Sequence, residues 1–139
     1  MADNASVLSV SIVTPDGRVY DNQGTFLAVT TKLGQLGIMP NHVPVISSLE
    51  VDVVRVKHDD EEDKIAVNGG FLEFSNNTAT IVADSAERQD DIDVARAENA
   101  RQRAEATIKK AQAAHDADNL ARAQVALRRA VNRINVAKH

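Results

Sequence analysis

From Ser85 to His139 the chain contains neither glycine nor proline, whereas all six glycines and three prolines lie in the first 70 residues. A stretch without either breaker can run as uninterrupted helix, and a stretch punctuated by both favours strands and turns. The chain therefore divides into two segments that obey different periodicities. We set the boundary at 84/85, giving units 1–84 and 85–139.

In the first segment, Val7-Leu8-Ser9-Val10-Ser11-Ile12-Val13 alternates in part and meets the turn signature Pro15-Asp16-Gly17. Thr25–Thr31 and Val51–Val56 are further β-rich runs. The acidic block Asp59–Asp63 suits a solvated hairpin loop. Gly69-Gly70 separates Ile65-Ala66-Val67 from Phe71-Leu72-Glu73-Phe74 and reads as a bulge or a close backbone approach. Asn76-Asn77 marks a tight turn before Thr78–Ala83. About ten short strands at this spacing make a sandwich or a barrel. Aromatics are only 3% of the chain, so the core is built from Val, Ile, Leu and Ala. A unit of about 80 residues buries enough of them for a marginal core.

In the second segment, Ala97, Ala100, Ala104, Ile108 and Ala111 recur at steps of three and four. His115–Asn119 interrupts the pattern, and Leu120, Ala123, Leu127, Ala130, Ile134 and Ala137 resume it. This predicts two amphipathic helices of roughly 20 and 18 residues in an antiparallel hairpin, with Asp90 or Asp91 as the first N-cap. Ala, Arg, Gln and Glu form helix readily. An alanine-lined seam buries little area, at about 25 cal/mol per Å², so the hairpin should hold loosely and be able to open. The fold class is thus α+β, a β unit followed by a helical hairpin.

Charge follows the same division. Residues 1–84 hold 5 Lys and Arg against 12 Asp and Glu, a net −7; residues 85–139 hold 11 against 8, a net +3. Leu120–His139 has five basic residues and no acidic one. Complementation of the helix dipole explains part of this bias; two units with different partners explain the rest. There is no cysteine, which excludes disulfides, thiolate metal sites and cysteine nucleophiles. Met1–Ala5 lacks the basic and apolar regions of a signal peptide, and no apolar run approaches the roughly 20 residues of a membrane span. No glycine-rich phosphate loop opens a helix, and no catalytic set of carboxylates or Ser, His and Asp is apparent. His42 lacks neighbouring ligands in sequence, so no metal site is expected. The overall net charge of −4 and the scarcity of aromatics argue against a nucleic-acid partner for the basic last helix. That binder, or a generic hairpin scaffold, is the competing reading.

Two motifs carry a family likeness. Gly34-Gln35-Leu36-Gly37-Ile38-Met39-Pro40-Asn41-His42-Val43-Pro44 resembles a loop of ATP synthase epsilon subunits, and Val67-Asn68-Gly69-Gly70-Phe71-Leu72-Glu73-Phe74 resembles their second signature. The likeness runs from Leu8 to about Lys138. On the residues alone, the first motif is a stiff exposed loop: Gly34 and Gly37 permit unusual backbone, and Pro40 and Pro44 fix its flanks. The resemblance implies an N-terminal β-sandwich and a non-catalytic rotor subunit of a proton-translocating F-type synthase, peripheral on the cytoplasmic side of the cell membrane. It implies the γ subunit and the c-ring as partners, with transient contacts to the α/β catalytic ring. Gln35, Leu36, Asn41 and His42 become the c-ring-facing residues.

Ile92-Asp93-Val94-Ala95-Arg96-Ala97 is similar to a motif of those epsilon subunits that bind ATP. Asp93 and Arg96 share a helix face, Arg103 lies two turns beyond Arg96, and Arg129 and Arg133 are one turn apart. An antiparallel hairpin brings its start and end together, so these arginines converge where a triphosphate would offset their charge. By resemblance, Glu87, Ile92, Asp93 and Ala97 surround the adenine, Arg103, Arg129 and Arg133 hold phosphates, and Arg96 bridges both ends. The plain alternative is a solvated helix face with weak ion pairs. No cofactor is required. ATP, with or without Mg²⁺, is the implied regulatory ligand.

Overall fold

A computed structural model describes residues 7–139; the reading of Met1–Ala5 lies outside them. The order is β1 (Leu8–Thr14), β2 (Gly17–Gly24), β3 (Phe26–Thr31), β4 (Gly34–Ile38), β5 (Val45–His58), β6 (Glu61–Ser75), β7 (Thr78–Ala83), β8 (Ala86–Arg88), α1 (Val94–Ala113) and α2 (Ala117–Lys138). The chain separates into two compact units, 1–89 and 90–139. The sheet thus extends past residue 84: Ala86, Glu87 and Arg88 pair with Val67, Ala66 and Ile65 of β6.

Among the described residues there are eight strands, where about ten short ones were expected. The difference lies in β5 and β6, which pair in one unshifted register from Val45↔Phe74 to His58↔Glu61. Each is long enough to serve both layers of the sandwich, so each resembles two short strands in sequence. Before Gly69-Gly70, β6 pairs with β8; after it, with β7. One layer is β2, β1 and β7 with the far half of β6 and the first half of β5, and the other is β4, β3, the second half of β5, the first half of β6 and β8. Gly69 and Gly70 take φ of 85° and 137° at the crossing, backbone that only glycine adopts cheaply.

The core is aliphatic and follows the period-2 alternation of the strands. Leu8, Val10 and Ile12 of β1, Leu27 and Val29 of β3, Ile65, Leu72 and Phe74 of β6, and Ile81 of β7 are buried. Asp59 and Asp60 both have positive φ and form the two-residue turn between β5 and β6. The rest of the acidic block is strand rather than loop, because the turn uses only two residues. Asp63 consequently points into the sandwich end. Its Oδ2 accepts from Tyr20 Oη at 2.6 Å and from His58 Nε2 at 2.8 Å.

Burial and the Asp63 carboxylate push the Tyr20 phenol well above its ordinary pKa near 10. Burial acts to raise the Asp63 carboxyl, but the bonds from Tyr20 and His58 outweigh it and hold it low. The folded state favours neutral Tyr20, so its contribution is complete below the unfolded pKa of about 10 and declines as pH rises beyond it. Tyr20→Phe should cost about 1.5–3 kcal/mol at pH 8. It should also flatten the alkaline loss of stability. Urea midpoints between pH 8 and 11 check both; an unchanged alkaline slope would remove Tyr20 as its source.

In the second unit, Asp93 rather than Asp90 or Asp91 is the N-cap of α1: its Oδ1 accepts from Arg96 N at 3.1 Å. Asp90 and Asp91 fall in a preceding 3-10 turn, Gln89–Asp91, which leaves them one step short of the helix. Asp116 caps α2 by accepting from Asn119 N. Residues 114–116 make the reversal, with His115 at φ 53°. Ala97, Ala104 and Ala111 of α1 and Ala123, Ala130 and Ile134 of α2 are the buried seam residues. Ala100, Ile108, Leu120, Leu127 and Ala137 are half-buried. Asn132 and Val136 are buried as well, outside the expected pattern.

Candidate functional site

The two helices are antiparallel, and Glu98 Oε1 lies 3.9 Å from Lys138 Nζ across them. Five residues inward from that bridge along each helix stand Arg103 and Arg133, so the two share a level on the hairpin axis. Arg129 lies one further turn inward, about 6 Å along the axis. Arg96 lies seven residues before Arg103, about 10 Å along it.

The flank is set by the seam. Arg96 and Arg103 each immediately precede a buried alanine of α1, Ala97 and Ala104, while Arg129 and Arg133 each precede a buried residue of α2, Ala130 and Ile134. Both helices are right-handed and run in opposite directions, so stepping back one residue turns the side chain to the same flank on either helix. All four arginines therefore border one flank of the hairpin. Residues that follow a seam position occupy the other flank, as the Glu98–Lys138 pair demonstrates.

The two flanks differ in charge balance. On the far one, Arg101 bridges Glu98 at 2.8 Å and also pairs with Glu105. Among the described residues, the guanidiniums of Arg96, Arg103 and Arg129 form no ion pair. Arg96, Arg103 and Arg129, three of the four arginines singled out in the sequence, are thus without a carboxylate among the described residues, an arrangement that suits an anionic ligand. Ile92 and Ala97 are buried, Asp93 is engaged as the helix cap, and Arg133 is half-buried. Glu87 stands in β8 of the first unit. Seven of the eight expected ligand residues thus belong to the second unit. Among the described residues no group of His, Asp and Glu is placed to hold a metal.

The loop expected at 34–44 is only partly a loop, since Gly34–Ile38 is strand β4, paired with β3. Ile38 is fully buried. Gly37 needs no special backbone; a Cβ there would lie 2.8 Å from the Phe26 ring, so glycine makes room for that ring. Gly34 does take a positive φ, 120°. Gln35 is exposed and Leu36 half-buried.

Asn41 and His42 spend their polar atoms inside the molecule. Asn41 N donates to Asn77 Oδ1, and Asn77 Nδ2 donates to Asn41 Oδ1 at 3.1 Å. His42 Nδ1 donates to the Val43 carbonyl at 2.7 Å, and its ring meets Phe74 edge-on at 6.0 Å. The Asn41–Asn77 bonds clamp the loop to the Asn76-Asn77 turn.

Apolar exposure marks residues that the sequence reading missed. Leu33, in the turn joining β3 to β4 beside Gln35, is 100% exposed. On one outer sheet face stand Phe71, 62% exposed, and its cross-strand partner Val82, 54% exposed. Ile46 is 79% exposed and lies two residues from Ser48, which pairs with Phe71. The signal was available in period 2, because Phe71 is out of phase with the buried Leu72 and Phe74.

Comparison with known proteins agrees with this architecture. Residues 7–89 match the family described as "ATP synthase, Delta/Epsilon chain, beta-sandwich domain", and 90–138 match its "long alpha-helix domain". The chain is 82% identical over 139 residues to an ATP synthase epsilon chain of Levilactobacillus brevis, covering all of both chains. It is 72% identical over 140 residues to that of Pediococcus pentosaceus, again covering all of both. Its fold is similar to a chain in the Euglena gracilis mitochondrial ATP synthase OSCP/F1/c-ring structure. There the TM-score is 0.79 at 17% identity, covering 96% of this chain and 82% of the other. No helix of the described residues is long and apolar enough to cross a membrane.

Proposed function

The chain belongs to the ATP synthase epsilon chain family, and from that premise we propose that it is a non-catalytic subunit of the central rotor whose hairpin regulates ATP hydrolysis. The sandwich joins the γ subunit to the c-ring. The apolar face of Ile46, Phe71 and Val82 suits γ, because an exposed patch of this kind marks a protein interface. Leu33, Gln35 and Leu36, beside a loop stiffened by Asn41 and His42, suit the c-ring. Complexes of this type sit on the membrane through the ring, and the proton gradient drives synthesis there.

The observation that carries the regulatory reading is the single flank bearing Arg96, Arg103, Arg129 and Arg133. Four guanidiniums on one flank repel each other. ATP, alone or with Mg²⁺, offsets that repulsion and binds only the closed hairpin. A ligand specific to one state shifts the population toward it. When ATP is scarce, the hairpin opens, its basic end reaches acidic segments of the α/β ring, and hydrolysis stops.

Truncation tests this reading. A synthase carrying only residues 1–89 should assemble and couple normally, yet hydrolyse ATP severalfold faster than the intact complex at low ATP. Hydrolysis traces at micromolar and millimolar ATP give the comparison. Equal rates at both concentrations would show that the hairpin does not regulate.

A further inference from the structure

We infer that Asn68 is a deamidation site, held dormant by the fold and released when the link between β7 and β8 lets go. Asn68-Gly69 is the chain's one Asn-Gly step. Glycine has no Cβ to shield its backbone nitrogen, so that nitrogen can reach the side chain of the asparagine before it.

The chemistry needs only water. The Gly69 nitrogen loses its proton and attacks Asn68 Cγ; the N–Cγ bond forms, the Cγ–Nδ2 bond breaks, and Nδ2 leaves as ammonia with that proton. Water then opens the cyclic imide. Attack at Cγ gives aspartate. Attack at the backbone carbonyl gives isoaspartate, in which the chain runs through Cβ and Cγ.

Three features restrain this in the folded chain. Asn68 lies within β6, and extended backbone turns the following nitrogen away from the side chain. Asn68 is 6% exposed, which limits water. Its Nδ2 donates to Ser85 Oγ at 2.7 Å, and its backbone N donates to the Ser85 carbonyl at 3.0 Å. Asn68 Oδ1 is buried with no hydrogen-bond partner among the described residues, so Ser85 is what fixes the side-chain amide.

The restraint is local. Ser85 belongs to the exposed link Asp84-Ser85 between β7 and β8. The registers with β5, β7 and β8 pass over Gly69, although they pair residues on either side of it. Detaching the link therefore frees the amide without unfolding the sandwich.

Reaction makes the loosening permanent. Aspartate puts a carboxylate where burial disfavours charge. Asp84 Oδ2 lies 3.4 Å from where a Gly69 Cβ would stand, so a like charge is close by. Isoaspartate adds a backbone atom between the β8 ladder, which reaches Val67, and the β7 ladder, which begins at Gly70. Both ladders cannot then keep their register.

Ageing the full-length chain at mildly alkaline pH, followed by peptide mass mapping, tests this. Unfolded in guanidinium, the peptide holding Asn68 should gain the mass of an amide-to-acid change. Folded wild type should do so at least about a hundredfold more slowly, as a segment that opens only locally would. Ser85→Ala should raise the folded rate about tenfold, through loss of the bond to a buried donor, and leave the unfolded rate unchanged. Equal folded and unfolded rates, or a folded rate indifferent to Ser85→Ala, would overturn the dormancy. No product from the unfolded chain would overturn the site itself. Asn68→Asp stands in for one product, and the aged wild type supplies both. In each, amide hydrogen exchange of residues 86–88 should quicken while β1 is unchanged; exchange as slow as in fresh wild type would overturn the loosening.

Discussion

Replacing Arg103 and Arg129 together by alanine should abolish measurable ATP binding by the isolated chain. Both residues border the flank where Arg96 and Arg133 also stand, one on each helix. A hydrogen bond to a charged group contributes about 1.5–3 kcal/mol. Losing one from each side therefore weakens binding by at least about a hundredfold. Arg101→Ala is the control, because Arg101 lies on the opposite flank and is already occupied by Glu98 and Glu105. Calorimetric titration should show saturable binding in the wild type and Arg101→Ala, and none in the double variant. Equal loss in Arg101→Ala would mean that net charge, not the site, attracts the nucleotide. Silence in the wild type at millimolar ATP would return the arginines to an ordinary charged surface.

The same geometry predicts a stability effect. A ligand that binds only the closed hairpin stabilises it by an amount that grows with the logarithm of its concentration. Helix melting should therefore rise with ATP in the wild type and in Arg101→Ala, and not in the double variant.

What the sequence made legible follows from where its information is local. The two periodicities, the hairpin turn at Asn76-Asn77 and the reversal near His115 depend on neighbours in the chain, and the structure has all of them. Strand number does not. Whether Val51–Val56 continues back to Val45 depends on pairing with Phe74, 29 residues away. The acidic block misled because five like charges suggest solvent, yet the turn required two, and Tyr20 and His58 received Asp63. Nothing near Asp63 in sequence announces Tyr20. The cap was misplaced by two or three residues because aspartates at 90, 91 and 93 all satisfy the local rule; the 3-10 turn decides among them.

The arginine flank was legible as spacing, since Arg96 and Arg103, and Arg129 and Arg133, repeat at helical intervals. That Arg96, Arg103 and Arg129 form no ion pair among the described residues was not. Glu105 is nearer in sequence to Arg103 than to Arg101, and only its flank assigns it to Arg101.

Among single substitutions in the sandwich, Gly70→Ala should be the most damaging. A Cβ at Gly70 would lie 2.1 Å from the Val82 carbonyl oxygen and 2.8 Å from the Ala83 Cα, and φ is 137°. Strain and clash therefore add. The obstructing atoms are backbone in the β6–β7 ladder, where Gly70 pairs with Ala83, so relief means parting the strands where β6 changes layers. The expected cost is on the order of 4 kcal/mol, a large share of the 5–15 kcal/mol typical of a whole domain. Gly37→Ala separates the two causes: there the obstacle is the Phe26 ring, a side chain that can turn aside, and no φ penalty applies. Gly34→Ala isolates strain alone, since φ is 120° and nothing lies within 4 Å. Urea unfolding should therefore rank Gly70→Ala far below either of the others. If it fell within about 1 kcal/mol of Gly34→Ala, the carbonyl of Val82 would have moved freely, and the layer crossing would not depend on glycine. Because γ and the c-ring are both assigned to the sandwich, the Gly70 variant should also fail to enter the synthase while its helices still form. That outcome would separate the anchoring unit from the regulatory one by a single methyl group.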